Sequence, residues 1–364
     1  TINTQSLITQ GKMRSDCGDI RFFDENGNYI PYWIESGCGT TSTVIWVKVP
    51  KIPANSTTTV YMYYGNPDAT SESNATNVFD LFDDFYTIDT TTLWNKKGSP
   101  SPYVVSGTDY IDLNGDSWCA SGIISKSTYD LPLAVRFRIR RTRTTYSAYE
   151  IIAEGGAGLH RGMETSGVCA GQNSLGYATV GIGGETGSLD YNIYYSFQNS
   201  SGWNHYITVE GGNDGDWHTF EIVAYDNTIK WYKDNSLVGS TTTDTPESSV
   251  YIGFFGRSHY TAGANVDWVA LRKYIDPEPL VSIGTEQSRG FYISLMTDKA
   301  NYSTGEVINL MIEVNRTQEY PQVMKFRLEL EDLDDKPDVL IETGSFVMPA
   351  KFHKKVVLRF AIPE

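Results

Sequence analysis

The residue types that could do chemistry are few and scattered. Five histidines stand at His160, His205, His218, His259 and His353. None falls in a His-Glu-x-x-His frame, which would set two imidazoles on one helical face around zinc. The chain holds no Gly-x-Ser-x-Gly elbow, no phosphate-cradling glycine loop and no dinucleotide fingerprint. Binding is therefore expected over catalysis. A carbohydrate needs aromatic faces beside polar groups. Tyr194-Tyr195, Trp203-Asn204-His205-Tyr206 and His259-Tyr260 supply both, so Tyr194, Tyr195, Trp203, His205, Tyr206, His259 and Tyr260 are the candidate contacts. Trp203 lies in a loop and fits sugar contact and plain loop packing equally. Trp231 and Trp268 alternate with polar neighbours and read as core.

The four cysteines, Cys17, Cys38, Cys119 and Cys169, form no Cys-x-x-Cys pair, which disfavours metal or redox chemistry. Their distribution predicts one disulfide in each of the first two segments, Cys17 with Cys38 and Cys119 with Cys169; four buried thiols are the alternative. Loops of about 20 and about 50 residues would each gain roughly 3–4 kcal/mol by chain entropy. Disulfides imply an oxidising, extracellular setting. Asn55-Ser-Thr, Asn74-Ala-Thr, Asn199-Ser-Ser, Asn301-Tyr-Ser and Asn315-Arg-Thr are glycosylation acceptor triplets that agree with secretion.

A net charge of −15 argues against nucleic acid, whose phosphates require a basic footprint. Arg136, Arg138, Arg140, Arg141 and Arg143 cluster locally, but Val135, Phe137 and Ile139 alternate with them, so they are expected on the solvated face of a strand. No apolar run reaches the roughly 20 residues of a membrane-spanning helix, and no signal peptide is present. The opening at Thr1 reads as though upstream residues had been removed, which leaves an anchor outside this sequence open.

Aromatics make up 13% of the chain, with 24 tyrosines and 33 glycines, and no long window has apolar residues at helical spacing. All-β is the fold class this composition implies. The organising stretch is 216–239. Phe220 and Ile222, then Ile229 and Trp231, alternate with polar residues, while Asp226-Asn227 and Asp234-Asn235-Ser236 carry turn chemistry. Three short antiparallel strands are predicted there.

That stretch, with Trp217-His218 before it, resembles the back sheet of concanavalin-like and laminin-G-like domains. Phe79-Asp-Leu-Phe-Asp-Asp-Phe85 and Val266-Asp-Trp-Val-Ala-Leu-Arg272 resemble the opening and closing strands of such a domain, which pair near one another. Cys17-Gly-Asp-Ile-Arg-Phe22, Pro31-Tyr-Trp-Ile-Glu35, Ile45-Trp-Val-Lys-Val-Pro50 and Tyr63-Tyr-Gly-Asn-Pro67 resemble an uncharacterised β-sandwich domain of archaeal and bacterial surface proteins. Asp298-Lys-Ala-Asn-Tyr-Ser-Thr-Gly-Glu306 resembles the opening of an immunoglobulin-like or macroglobulin-like sandwich. The expected architecture is tandem β-sandwiches: 1–77 an incomplete N-terminal sandwich, 78–287 a concanavalin/laminin-G-like jelly roll, and 288–364 an immunoglobulin-like domain. About four strands are counted in the last, against roughly seven in a full sandwich.

The resemblance carries further expectations. Retaining glycosidases on the concanavalin fold use a Glu-x-Asp-x-x-Glu strand, a string this sequence lacks, which points away from hydrolysis. Relatives bind calcium where first and last strands meet, which makes Asp83 or Asp84 with Asp267 the candidate calcium ligands; solvated or turn-capping carboxylates are the alternative. Two unfinished sandwiches imply either that identical subunits complete each other's sheets through open edges or that the sequence is a fragment. The function expected is a non-catalytic extracellular surface protein, a filament or surface-layer subunit or an adhesin, with a lectin-like domain for polysaccharide or glycan. The alternatives are an accessory region of a secreted glycoside hydrolase, or a hydrolase itself.

Overall fold

Alternating sequence becomes strand throughout the computed structural model. It describes residues 1–97, 103–104, 109–114, 121–141, 157–161, 176–182, 192–198, 204–211, 215–244, 246–256, 263–286, 291–297, 307–316, 322–330, 339–348 and 353–361, with backbone alone after residue 286. The chain divides into two compact units, one of Thr1–Val78 with Val281–Glu364 and one of Phe79–Leu280.

In the first unit, β1 (Arg21–Phe23) lies between β2 (Tyr29–Ile30) and β5 (Tyr61–Tyr63) in an antiparallel sheet, and β3 (Tyr32–Ser36) pairs with β4 (Val44–Val47). The run Tyr29–Glu35 is split because Pro31 has no N–H for a ladder. Asp24 makes the β1–β2 turn, its Oδ1 accepting from the Asn26 and Asn28 amides at 2.9 and 2.7 Å. Met13, Cys17, Ile20, Phe22, Ile30 and Tyr32 form the core. Buried Asp19 accepts from the amides of Arg14 and, at 2.6 Å, Gly65, so one carboxylate fastens two loops. A short helix not expected from the sequence, α1 (Thr4–Thr9), starts where the Asn3 side chain accepts from the Ser6 amide at 3.0 Å.

Cys17 and Cys38 are disulfide-bonded as predicted. Cys119 and Cys169 lie outside the described residues.

The second unit is a sandwich. Its first sheet runs β16 (Asn204–Gly211), β15 (Asn192–Gln198), β14 (Gly176–Ile182), β13 (Ala157–His160), β20 (Ser249–Gly256), β10 (Ser121–Ser125) and β7 (Trp94–Lys97), with β11 (Tyr129–Asp130) also on β20. Its second runs β19 (Ser236–Thr242), β18 (Thr228–Lys233), β17 (His218–Tyr225), β12 (Leu133–Arg141), β21 (Gly263–Lys273), β9 (Ile111–Asn114) and β8 (Tyr103–Val104), with β6 (Leu81–Asp83) on β21. Inward residues of both sheets share one core that includes Ile123, Leu159, Tyr195 and Phe254 from the first and Val135, Phe137, Phe220 and Trp231 from the second. Trp231 also donates its indole N–H across the sandwich to the Thr179 carbonyl at 3.2 Å.

The three strands predicted at 216–239 are β17, β18 and β19. Asp226, Asp234 and Asn235 hold φ of +47°, +47° and +69° at the two turns, the left-handed region that Asn and Asp tolerate best after glycine. The first and last strands of the unit also meet as expected, with Asp83 opposite Val269.

The arginine face of β12 departs from expectation at Arg136, while the Arg138 side chain is 40% exposed and the Arg141 side chain and Arg143 lie outside the described residues. Val135, Phe137 and Ile139 point inward, but Arg136 is only 3% exposed and is not solvated. Glu221, its cross-strand partner on β17, accepts from Arg136 Nη1 at 3.2 Å and from Arg272 Nη2 at 2.6 Å, while Arg136 Nη2 donates to Asn235 at 2.9 Å. Arg138 pairs with Asp267 at 2.7 Å, and Arg140 stacks 4.6 Å from the Trp217 ring. Paired charges and aromatic stacking cover a face that alternation alone marks as polar. Trp268 is buried on this outer side, opposite Arg138, whereas Trp231 is in the core.

Beyond residue 290, β22 (Phe291–Thr297), β23 (Val307–Arg316) and β26 (His353–Ala361) form one sheet and β24 (Gln322–Leu330) pairs with β25 (Val339–Met348). Five strands stand where the sequence had offered about four. Among the described residues, no helix is long and apolar enough to cross a membrane.

Two substitutions check these supports. Glu221→Ala removes the carboxylate that Arg136 and Arg272 share, while Asn235 and Glu278 remain to them, and should cost about 3 kcal/mol in urea unfolding; a cost near zero would mean that water already reaches the pair. Replacing Cys17 and Cys38 by serine should lower the stability of the first unit by about 3 kcal/mol, read as a shift of its chemical-denaturation midpoint.

Candidate functional site

Alternation around Phe254 sets up the outer face of the first sheet. With Ile252 and Phe254 in the core, Tyr251, Gly253 and Phe255 face away from it. His160 on β13 is the cross-strand partner of Tyr251, and its ring lies edge-on to Phe255 with centroids 5.2 Å apart. Gly253 makes that contact feasible. A Cβ there would come within 2.8 Å of His160 Cδ2 and 2.9 Å of Phe255 Cε2. Gly122, opposite Phe255, is equally committed, because its Cβ would fall 2.0 Å from the Phe254 carbonyl oxygen. The floor is thus backbone, with aromatic rings standing on it.

Polar groups adjoin. Thr179 on β14 and Ser196 on β15 are cross-strand partners, both buried, with hydroxyls 2.9 Å apart. Ile124 packs with Phe255 and Tyr251. Of these groups Phe255, His160, Thr179 and Ser196 are buried, and the ring of Tyr251 is the part that reaches solvent.

The sequence-derived contacts distribute unevenly around it. Tyr195 is removed as a sugar contact: its ring is fully buried in the core, 6.3 Å from that of Phe220. Tyr194 lies in the same strand with Gly181 and Val209 as backbone partners, and His205 and Tyr206 lie in β16, Tyr206 opposite Ser196. The side chains of these three, and all of Trp203, His259 and Tyr260, lie outside the described residues. The sequence reading missed His160, Tyr251 and Phe255. The signal was Tyr-Ile-Gly-Phe-Phe, in which period two puts two aromatics and a glycine on one side.

The carboxylates considered for calcium each have another partner. Asp83 Oδ2 accepts from the Trp94 indole at 2.6 Å and Oδ1 from the Phe85 amide at 2.8 Å. Asp84 accepts from the Tyr86 amide at 3.1 Å, and Asp267 is held by Arg138. Among the described residues no three His, Cys, Asp or Glu side chains converge as a cation would require.

Asp83 braces the face from beneath. Trp94, which it fixes, packs with Phe85 and with Phe254, the inward neighbour of Gly253 and Phe255. Phe85 holds a φ of +55°, at a cost of about 1–2 kcal/mol for an L residue; the Asp83 bond to its amide and the burial of its ring offset this.

With this geometry in place, the chain can be set beside known proteins. A family model described as Domain of unknown function (DUF2341) matches residues 16–97, spanning β1 to β7 and so drawing on both units. No curated protein matches the chain. Among solved structures, the Bacillus licheniformis β-glucanase is similar at 14% identity and TM-score 0.35, over 53% of this chain and 98% of that one. The endo-β-1,3-glucanase from Pyrococcus furiosus is similar at 16% and 0.37, over 54% and 95%. The metal-free carbohydrate recognition domain of Emp46p is similar at 12% and 0.40, over 50% and 89%. Likeness at these levels says nothing of what this chain binds or transforms.

Burial raises Asp83 above the ordinary carboxylate value of 3.8, although the Trp94 and Phe85 donors oppose it. The folded chain thus holds this proton more tightly than the unfolded chain does. The carboxyl contributes stability that is complete below about pH 4 and is lost as pH climbs through the raised folded value. Asp83→Asn cannot lose it in that way. The deficit of this variant against wild type should shrink between about pH 3 and about pH 7, measured by urea unfolding across that range; a widening deficit would show that the hydrogen bonds outweigh desolvation.

Proposed function

We propose that this chain is a non-catalytic extracellular surface protein, a structural subunit or an adhesin, whose second unit holds a glycan on the outer face of its first sheet. The observation that carries the reading is the half-buried Tyr251 ring, held on the backbone floor at Gly122 and Gly253 by buried Phe255 and His160. A pyranose stacks its C–H face on a ring and exchanges hydrogen bonds with hydroxyls. The described side chains around Tyr251 are aromatic, apolar, hydroxyl or imidazole, and Asp130 on β11, opposite Ser249, adds an exposed carboxylate on the same side of the sheet. The Cys17–Cys38 bond supports an oxidising location.

Assembly with identical subunits is part of this reading. Among the described residues, β4 and β5 each pair on one side only, and such edges accept strands from other chains. An accessory region of a larger secreted glycosidase would use the same glycan face without assembling. Electron micrographs of native material separate the two, with fibres or a lattice for the first and dispersed particles for the second.

Tyr251 is half-buried and can be truncated without opening the core. Tyr251→Ala should weaken retention on polysaccharide in affinity electrophoresis by about tenfold, the size of one lost aromatic contact, with the thermal midpoint little changed. Unaltered retention by a folded variant would remove this face from the reading.

A further inference from the structure

We propose that Asn55 is a site of N-linked glycan attachment on the folded chain, in preference to Asn74 and Asn315. The inference goes beyond glycan binding and rests on the extracellular reading for its occurrence in the cell. Five acceptor triplets share the same local pattern, so sequence cannot rank them; the fold can.

Asn55 sits at the tip of the loop between β4 and β5, where residues 51–59 are all exposed. It holds a φ of +55°, which turns the chain outward at this residue. Thr58 closes the loop below it by donating to the Lys51 carbonyl at 3.2 Å. Among the described residues the Asn55 amide and the Thr57 hydroxyl have no hydrogen-bond partner, so the two groups of the triplet that a transferase engages are available together. Exposed loop tips are also where a folded chain yields most easily to an enzyme's active site.

The other described triplets are tied down. Asn74 donates its backbone N–H to the Tyr32 carbonyl at 2.9 Å, and its side chain accepts from the Asn77 amide as the cap of the short helix Ala75–Asn77. Ala75, the middle residue of that triplet, is 4% exposed. Asn315 lies in β23, the central strand of its sheet, paired with Tyr292 on one side and His353 on the other. Presenting either to a transferase means breaking backbone pairing.

The chemistry is a substitution at an anomeric carbon. The Asn55 side-chain nitrogen bonds to C1 of a glycan carried on a lipid phosphate or pyrophosphate, the C1–O bond to the phosphate breaks, and the lipid phosphate leaves with the bonding pair. The amide gives up one proton to a base of the transferase. No oxidant or reductant is required.

The test uses the folded full chain, incubated with membranes that contain an oligosaccharyltransferase and its lipid-linked donor, followed by glycopeptide mass spectrometry. The glycan is expected on the peptide containing Asn55 and lost in both Asn55→Gln and Thr57→Ala, with the Asn74 and Asn315 peptides bare. A bare Asn55 peptide, or a glycan on Asn74 or Asn315 under these conditions, overturns the proposal. Cell fractionation tests the extracellular reading separately. Failure there with Asn55 modified in vitro would count against location and leave the acceptor assignment standing.

Discussion

The ring of Phe254 packs edge-on against that of Phe137 at 5.5 Å, and this contact between facing sheets is what the rest of the second unit depends on. Once Phe254 points inward, period two leaves no choice for its neighbours. Gly253 and Phe255 must face out, and a slip of one residue would exchange core and outer face together. The same ring meets Phe85 and Trp94, so the packing extends to the buried Asp83 and the opening strand. The outer face of the first sheet is therefore the reverse side of a well-packed core.

Charge is handled differently on the two outer faces. On the second sheet Glu221 lies between Arg136 and Arg272, and Arg138 and Arg140 stack on Trp217. That face spends its charges on itself. The outer face of the first sheet, by contrast, sets the rings of Tyr251, Phe255 and His160 together, with Asp130 on β11 as an exposed carboxylate to one side.

Much of this fold was legible in the sequence, and the reasons differ by element. The strands between His218 and Thr242 could be read because apolar alternation and Asp-Asn turns coincide. The β6–β21 pairing followed from the resemblance of both segments to known opening and closing strands. Arg136 of β12 was assigned to the correct side of the strand but to the wrong environment, since alternation gives a face and not what covers it. Adjacent Tyr194 and Tyr195 show the same limit: one of two consecutive residues must point inward, and their own types do not say which. The floor at Gly122 and Gly253 was hidden because a glycine announces a turn more readily than a close approach. Helix α1 escaped because six residues carry no periodic signal, although Asn3 and the Ser6 amide formed its cap.

The Cys17–Cys38 bond has a consequence for how long the first unit survives. Cys17 has no solvent exposure and belongs to the core with Ile20 and Phe22. A dissolved thiol must line up with a sulfur to exchange with it, and in the native fold Cys17 is closed to that approach while Cys38 is only partly buried. Attack is thus steered to the Cys38 sulfur, which would expel Cys17 as a thiolate into the core, where burial disfavours the charge and slows reduction.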